Sequence, residues 1–233
     1  MARRTLLLTG IAEGLGAAIA ETFAQAGHDV IGLSRSTRSN EQVTRRVEAA
    51  GGRYRHLGCD ITRTAELAAA IKPHADRIDV LIHNPQLLTV KPFEQTTTDE
   101  FEQAWRVACL GAVIAAQAVI PHMAARQRGM IILTGATAGI RGGANFSAFA
   151  SAKFALRGLA QSLAREYGPK GVHVAHVVLD GLIDAPQTEQ RFGSQTTGRM
   201  DPRFIAQAYL DLSTQPPSTW TQEMDLRPIS ERF

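Results

Sequence analysis

The residues best placed to do chemistry in this chain begin with a glycine turn, Thr9-Gly10-Ile11-Ala12-Glu13-Gly14-Leu15-Gly16, set between the apolar run Leu6-Leu7-Leu8 and a helical stretch from Ala17 to Ala26. Glycines at such a turn permit positive φ and let backbone N–H groups approach a pyrophosphate, which the positive end of the following helix dipole also attracts. A nucleotide diphosphate is the implied ligand; a plain strand-to-helix turn is the bland alternative. A second turn, Leu133-Thr134-Gly135-Ala136-Thr137-Ala138-Gly139, looks like a repeat of the first. It reads as a decoy, because more turn-like residues (Ile140 to Asn145) follow its last glycine and no helix N-terminus points into it. Cys109 is a nucleophile only if its thiolate is stabilised, and no paired His lies nearby in sequence, so it reads as a small buried residue. His83 ends an apolar run and reads as a satisfied core histidine.

These groups must be positioned by an alternation of apolar strands and helical patterns. The strands are Thr5 to Thr9, Asp29 to Ser34, Arg53 to Leu57, Val80 to His83, Met130 to Thr134, Val172 to Leu179 and Thr221 to Asp225. Helices are predicted at Gly14 to Ala26, Asn40 to Ala50, Thr64 to Lys72, Asp99 to Arg126, Ser147 to Tyr167 and Pro202 to Leu212. Such alternation means right-handed βαβ crossovers and a parallel sheet covered on both faces, an α/β doubly wound domain in three layers. The polar stretch from Asp184 to Met200 is expected to be an irregular loop beyond the carboxyl end of a strand, where ligands bind in such sheets.

The chain has 233 residues, 44% hydrophobic and 20% charged, which suits one globular domain over 1–233 and excludes a disordered one. The net charge is +3 and the pI about 9.1, but the arginines are scattered without a basic run or interleaved aromatics, so nucleic acid is not expected as a partner. No apolar stretch long enough to span a bilayer and no signal segment is read, which makes the cytoplasm the expected location and a membrane no partner. Cys59 and Cys109 do not make a disulfide framework, and no metal site is read.

Several motifs then fall in the order and spacing of one family: Thr9-Gly10…Gly14…Gly16, Cys59-Asp60-Ile61, His83-Asn84, Lys153, and Gly181-Leu182-Ile183. On these the chain resembles the short-chain dehydrogenases/reductases over nearly its whole length. The resemblance implies a sheet of about seven strands in the order 3-2-1-4-5-6-7 and a nicotinamide cofactor. It places Asp60 and Ile61 by the adenine, Asn84 by the adenosine ribose, Lys153 on the nicotinamide ribose, and Gly181 and Ile183 by the carboxamide. Gly10, Gly14, Leu15 and Gly16 take the phosphates. After the second strand, an acid would bond the ribose 2′-hydroxyl and an arginine would accept a 2′-phosphate. Ser34 is neutral there and Arg35 can pair with phosphate, with Arg38 near in sequence, so NADP is favoured over NAD; the carboxylate of Glu13 pulls the other way.

At the catalytic positions the chain departs from the family. Phe149 stands where the family has its acid Tyr, four residues before Lys153 and so on the same helix face. Ala136 falls at the Ser that orients the substrate oxygen, and Cys109 at the Asn that organises a water relay. Phe fills the space of Tyr but cannot carry a proton. A positioned general acid is worth about 10²–10⁴ in rate, so ordinary ketone reduction is expected to be weak. Pro85 and Gln86 replace the Ala-Gly that usually follows Asn84, and Asp180 and Ala185 replace the Pro and Thr that flank the Gly181 turn.

Two replacement groups are open: Thr137, beside Ala136, as an orienting hydroxyl or a mere turn residue, and Asp180 as a general base or a capping carboxylate. Ser147 and Ser151 flank Phe149 at a spacing that faces them elsewhere. Three functions follow: an atypical NADP-dependent oxidoreductase, a non-catalytic cofactor-binding protein, or a lyase or isomerase using Asp180 or Thr137. The two helices Asp99 to Arg126 and Ser147 to Tyr167 are apolar beyond one stripe. The resemblance makes them dimer-forming helices and implies a homodimer or homotetramer acting on an unknown small molecule.

Overall fold

A computed structural model describes residues 3–194 and 198–231. The strands are β1 (Arg4–Thr9), β2 (His28–Ser34), β3 (Tyr54–Gly58), β4 (Val80–His83), β5 (Gly129–Thr134), β6 (Val172–Leu179) and β7 (Glu223–Leu226). They form one parallel sheet in the order β3-β2-β1-β4-β5-β6-β7. Continuous apolar runs such as Leu6-Leu7-Leu8 and the wholly buried β6 are what a sheet covered on both faces requires. Successive side chains leave opposite faces. Leu6, Leu8, Val30, Ile82 and Val177 therefore pack with Ile19, Phe23, Tyr209 and Leu212, while Leu7, Leu81, Ile131 and Leu133 pack on the other side with Leu67, Ala115, Val119 and Leu156.

The covering helices are α1 (Leu15–Gln25), α2 (Asn40–Ala49), α3 (Thr64–Ile71), α4 (Thr98–Trp105), α5 (Gly111–Ala125), α6 (Ser147–Tyr167), α7 (Pro186–Phe192) and α8 (Pro202–Ser213). The strand order reverses between β1 and β4, and the crevice at that reversal is where such sheets bind ligands.

Four expectations change. The helix predicted from Asp99 to Arg126 is two α-helical pieces joined by a π turn, Arg106–Leu110, and it starts one residue earlier, after a capping box in which Thr97 and Glu100 satisfy each other's backbone N–H groups. The stretch from Asp184 to Met200 is not wholly irregular: Pro186, whose fixed φ suits a first helical position, opens α7. The last strand lies a little later than predicted. Finally, Thr98–Ala125 is long and apolar enough to cross a membrane, against the expectation that no such stretch exists. Half of its most apolar window is buried, with Ala112, Ala115, Ala116, Val119 and Met123 in the core beside the sheet.

Candidate active site

The glycine turn stands at the carboxyl end of β1 and delivers Gly14 as the residue that caps α1. Gly10 has φ +76° and Gly14 has φ +84°, conformations that L side chains rarely adopt. Both are also closely overlain: a Cβ on Gly10 would lie 2.6 Å from the Pro85 nitrogen, and one on Gly14 would lie 2.7 Å from the Ala185 Cβ. Leu15 and Gly16 open the helix and are buried. Thr9 is fully buried and its Oγ1 meets His83 Nδ1 at 3.0 Å. Asn84 follows β4, with its N–H donating to Thr9 O at 3.1 Å and Nδ2 to Gly10 O at 3.5 Å. Pro85 thus seats against the turn, whereas the side chain of Gln86 is exposed.

Arg35 is exposed just past the end of β2. The half-buried Asp60 accepts from the Thr62 N–H at 2.9 Å and Thr62 Oγ1 at 2.8 Å; the backbone bond chiefly holds its carboxyl below the usual range, and the charge of Arg35 adds to this. Ile61 is buried against Gly111. Past the carboxyl end of β2, an exposed cation and a carboxylate acceptor therefore stand close together.

The reacting end is different. Phe149 is buried with Ala138 and Ala150, and Leu88, Ala136 and Phe146 pack around them. Ala136 is extended, at φ −161°, and leads into a single 3₁₀ turn, Thr137–Gly139, with no helix N-terminus behind the second glycine turn. Lys153 is fully buried on α6; its Nζ donates to Thr134 O at 2.8 Å and lies 5.8 Å from the centre of the Phe149 ring. Burial pushes its pKa down to about 8. Cys109 sits inside the π turn, buried, with its thiol pushed up by desolvation and therefore protonated. No residue in the Arg106–Leu110 stretch signals this turn.

Thr137 and Asp180 are brought together. Thr137 Oγ1 donates to Asp180 Oδ1, the same oxygen lies 3.5 Å from Arg141 Nη2, and Oδ2 lies 3.3 Å from Arg227 Nη1. Asp180 is 1% exposed, so this carboxylate is engaged by a hydroxyl and two guanidiniums and is not an open base. Arg141 and Arg227 were not singled out from sequence, because each lies far along the chain from Asp180. Of the two serines that flank Phe149, Ser151 donates its Oγ hydrogen to Ala148 O at 2.9 Å, and the Ser147 Oγ is buried. Gly181 follows Asp180 beneath Pro228, and Ile183 pairs with Met200 in an isolated parallel bridge that closes the base of the α7 segment. Arg191 on α7 donates to Leu88 O at 3.0 Å, tying that segment to the apolar cluster around Phe149. Residues 195–197, within the segment expected to face the substrate, lie outside the described residues. Among the described residues no cluster of His, Cys, Asp or Glu has a metal-holding arrangement.

A glycine turn at the strand-order reversal, a buried lysine on the long helix and seven parallel strands define a dinucleotide-fold oxidoreductase class. The short chain dehydrogenase family matches residues 4–195, and the chain belongs to that family. It is 30% identical over 198 residues to L-2,3-butanediol dehydrogenase of Corynebacterium glutamicum, covering 80% of this chain and 74% of that protein. A short-chain dehydrogenase from Rhodopseudomonas palustris superposes with a TM-score of 0.84 at 35% identity, covering 97% of this chain and 98% of that one. A metagenomic short-chain oxidoreductase solved in complex with NADP superposes with a TM-score of 0.83 at 26% identity, covering 97% of each chain.

Proposed function

We propose that this protein is an NADP-dependent oxidoreductase acting on a carbonyl or alcohol, with a degenerate catalytic set and weak turnover on ordinary substrates. The observation that carries the reading is Lys153, a charged side chain kept fully buried beside a site whose acid position is Phe. Burying an ammonium is costly, and a protein with no use for it gains nothing by keeping it there.

The residues present fit a dinucleotide. Gly10 and Gly14 leave backbone where a side chain would collide, the N-terminus of α1 favours phosphate, and Arg35 stands beside Asp60 where a 2′-phosphate would be read. NADP binding by the metagenomic neighbour supports the same choice. When bound, the cofactor supplies or accepts the hydride. The chain's own part is to seat it on the turn, to hold the reacting carbon among Phe149, Phe146 and Leu88 away from water, and to place the Lys153 ammonium beside the developing negative charge. No side chain at positions 136 and 149 can donate a proton.

Oligomerisation and location belong to this proposal as well. Trp105 on α4 and Phe154 on α6 are 40% and 43% exposed, which suits burial of these helices in a homodimer or homotetramer. Two free thiols suit the cytoplasm. The second reading, a cofactor-binding protein without turnover, draws on the apolar cluster itself. Titration with NADPH and NADH, followed through Trp105 and Trp220 emission, tests the shared premise. Micromolar NADPH binding, about −8 kcal/mol, with weaker NADH is the expected result; no response to either nucleotide overturns both readings.

A further inference from the structure

The carboxyl ends of β2 and β3 bring a histidine to the turn that carries Arg35. In register, Gly32 lies level with His56 and Ser34 with Gly58. Level residues, and residues two apart on one strand, leave the same face of the sheet, so the Ser34 side chain, the His56 ring and the missing side chain of Gly58 stand together. Their face is that of Val30 and Tyr54, which pack with Ile19 and Phe23 of α1 and with Val43 and Val47 of α2. β3 is the edge strand of the sheet, and His56 is half-buried there.

His56 Nε2 lies 3.0 Å from Ser34 Oγ, and Ser34 Oγ donates to Ser36 O at 3.0 Å. A hydroxyl has one hydrogen to give. With that hydrogen on Ser36 O, the contact with His56 requires the ring proton on Nε2, which leaves Nδ1 as the basic nitrogen. Past Ser34 the chain turns: Ser36 Oγ accepts from the Arg38 N–H at 3.1 Å, Thr37 O accepts from the Asn40 N–H at 2.9 Å, and both Arg35 and Arg38 are exposed. Gly58 supplies space. Among the described residues, a Cβ placed on Gly58 would have within 4 Å only His56 Cε1, at 3.9 Å. Cε1 joins the two ring nitrogens, so an edge of the imidazole borders open space level with Ser34. The titratable and charged groups around it are Tyr54 and Arg55 on β3, Arg35 and Arg38 on the turn, Glu41 in the first turn of α2, and Cys59 and Asp60 past β3. Burial chiefly lowers the His56 pKa, its contact with Ser34 works against that, and none of these charges sets it. The ring is therefore neutral at pH 7, and an arriving anion is the first charge to act on it.

We propose that His56 is a second reader of the 2′-phosphate, taking up a proton at Nδ1 as that group binds and standing beside Arg35 as a cation. The inference rests on the NADP reading. One proton passes from solvent to Nδ1 and returns to solvent when the nucleotide leaves; no other bond changes. An unphosphorylated ribose brings no charge to raise the pKa, so His56 determines specificity and takes no part in the reaction. Because a histidine and not an arginine holds this place, the preference for the phosphorylated cofactor depends on pH. A pKa raised in the complex adds affinity that is complete below the free value and is lost as pH rises through the bound value.

The test has two arms. In the first, dissociation constants for NADPH and NADH are measured on the intact protein across the range in which histidine titrates. Relative to His56→Gln, which keeps a donor to Ser34, the parent is expected to prefer NADPH roughly tenfold more at the acid end and equally at the alkaline end. Ionisation of the phosphate itself is common to both proteins and cancels. His56→Arg, with a fixed charge, is expected to hold the acid-end preference at every pH. The second arm needs no variant. Proton NMR is expected to show the His56 titration midpoint rising by roughly one unit with NADPH and staying in place with NADH. The same preference in parent and His56→Gln at every pH, or a His56 midpoint that ignores NADPH, overturns the proposal while NADPH binding, and hence the functional reading, stands. Absence of NADPH binding overturns both.

Discussion

At the phosphate end of the crevice the backbone does the work: Gly10 and Gly14 take positive φ under close cover, and α1 starts where a diphosphate would lie. Around Lys153 it is side chains that set the surroundings, and Phe149, Ala136, Phe146 and Leu88 form one apolar cluster there. Both lie at the carboxyl ends of the strands of one sheet. A cofactor cradle made of glycines and a helix terminus is indifferent to which reaction follows, whereas an acid at one position commits the site to one kind of substrate. On the proposed reading, in which Phe149 occupies the position of an acid, a cradle and a Lys153 that are kept would mean a change of chemistry at constant binding.

The sharpest way to break that contrast is to give the reacting end its acid back. Phe149→Tyr with Ala136→Ser adds a phenol one helical turn from Lys153 and a hydroxyl at the start of the 3₁₀ turn. Phe149 is 6% exposed and already fills the ring's space, so the added hydroxyl is the main change. Carbonyl reduction with NADPH is expected to rise by about 10²–10⁴ over the native protein, measured against a panel of small ketones. No gain in a double variant that still binds NADPH would mean that the pocket around Phe149 no longer admits a carbonyl at all.

A smaller effect, on stability, tests whether Lys153 is kept for function. Its folded pKa of about 8 lies below the ordinary 10.5 because of burial. The unfolded chain therefore holds the extra proton between those two values, and linkage makes stability rise with pH across that window. Below about pH 8 the full cost of burying the ammonium is present. Lys153→Met is expected to stabilise the protein at pH 7 by roughly 2 kcal/mol, with the advantage shrinking as pH rises from 8 to 10.5, and to abolish any turnover. Denaturant midpoints at several pH values decide it; a destabilised Met variant would mean that the bond to Thr134 O outweighs desolvation. His83, held down to about 3 by burial, works at the acid side, where stability is lost as pH falls from 6.5 toward 3.

The parallel, doubly covered sheet was readable because continuous apolar runs and a glycine turn are local signals and the alternation of elements leaves few topologies, whereas the strand order came with the family resemblance. The glycine turn was readable for the same reason, since Gly10, Gly14 and Gly16 are close in sequence; the first two take positive φ, and the third opens α1 against Ile11. What escaped were arrangements assembled from distant pieces. Nothing near Asp180 announces Arg141 or Arg227, and nothing near His176 announces that Glu223 and Gly135 will enclose it. The π turn that holds Cys109 escaped because one extra residue per turn leaves the apolar pattern of a long helix nearly intact. α7 was hidden by polarity: Gln187, Thr188, Glu189, Gln190 and Arg191 give no apolar stripe to read.

The smallest expected effect concerns the adenosine end, where the contrast can be sharpened without touching the reaction. Arg35 is exposed, and among the described residues it makes no side-chain hydrogen bond or ion pair beyond its charge effect on Asp60, so it is available to a phosphate at little cost to the fold. Ser34, one residue earlier, is occupied with His56 Nε2 at 3.0 Å and with the Ser36 carbonyl, and so adds no acid to favour an unphosphorylated ribose. Arg35→Ala should therefore weaken NADPH by about tenfold and leave NADH nearly unchanged, with thermal stability the same as the parent. Loss of both nucleotides in equal measure would place Arg35 in the fold and not in the choice of cofactor, and would hand that choice to Arg38.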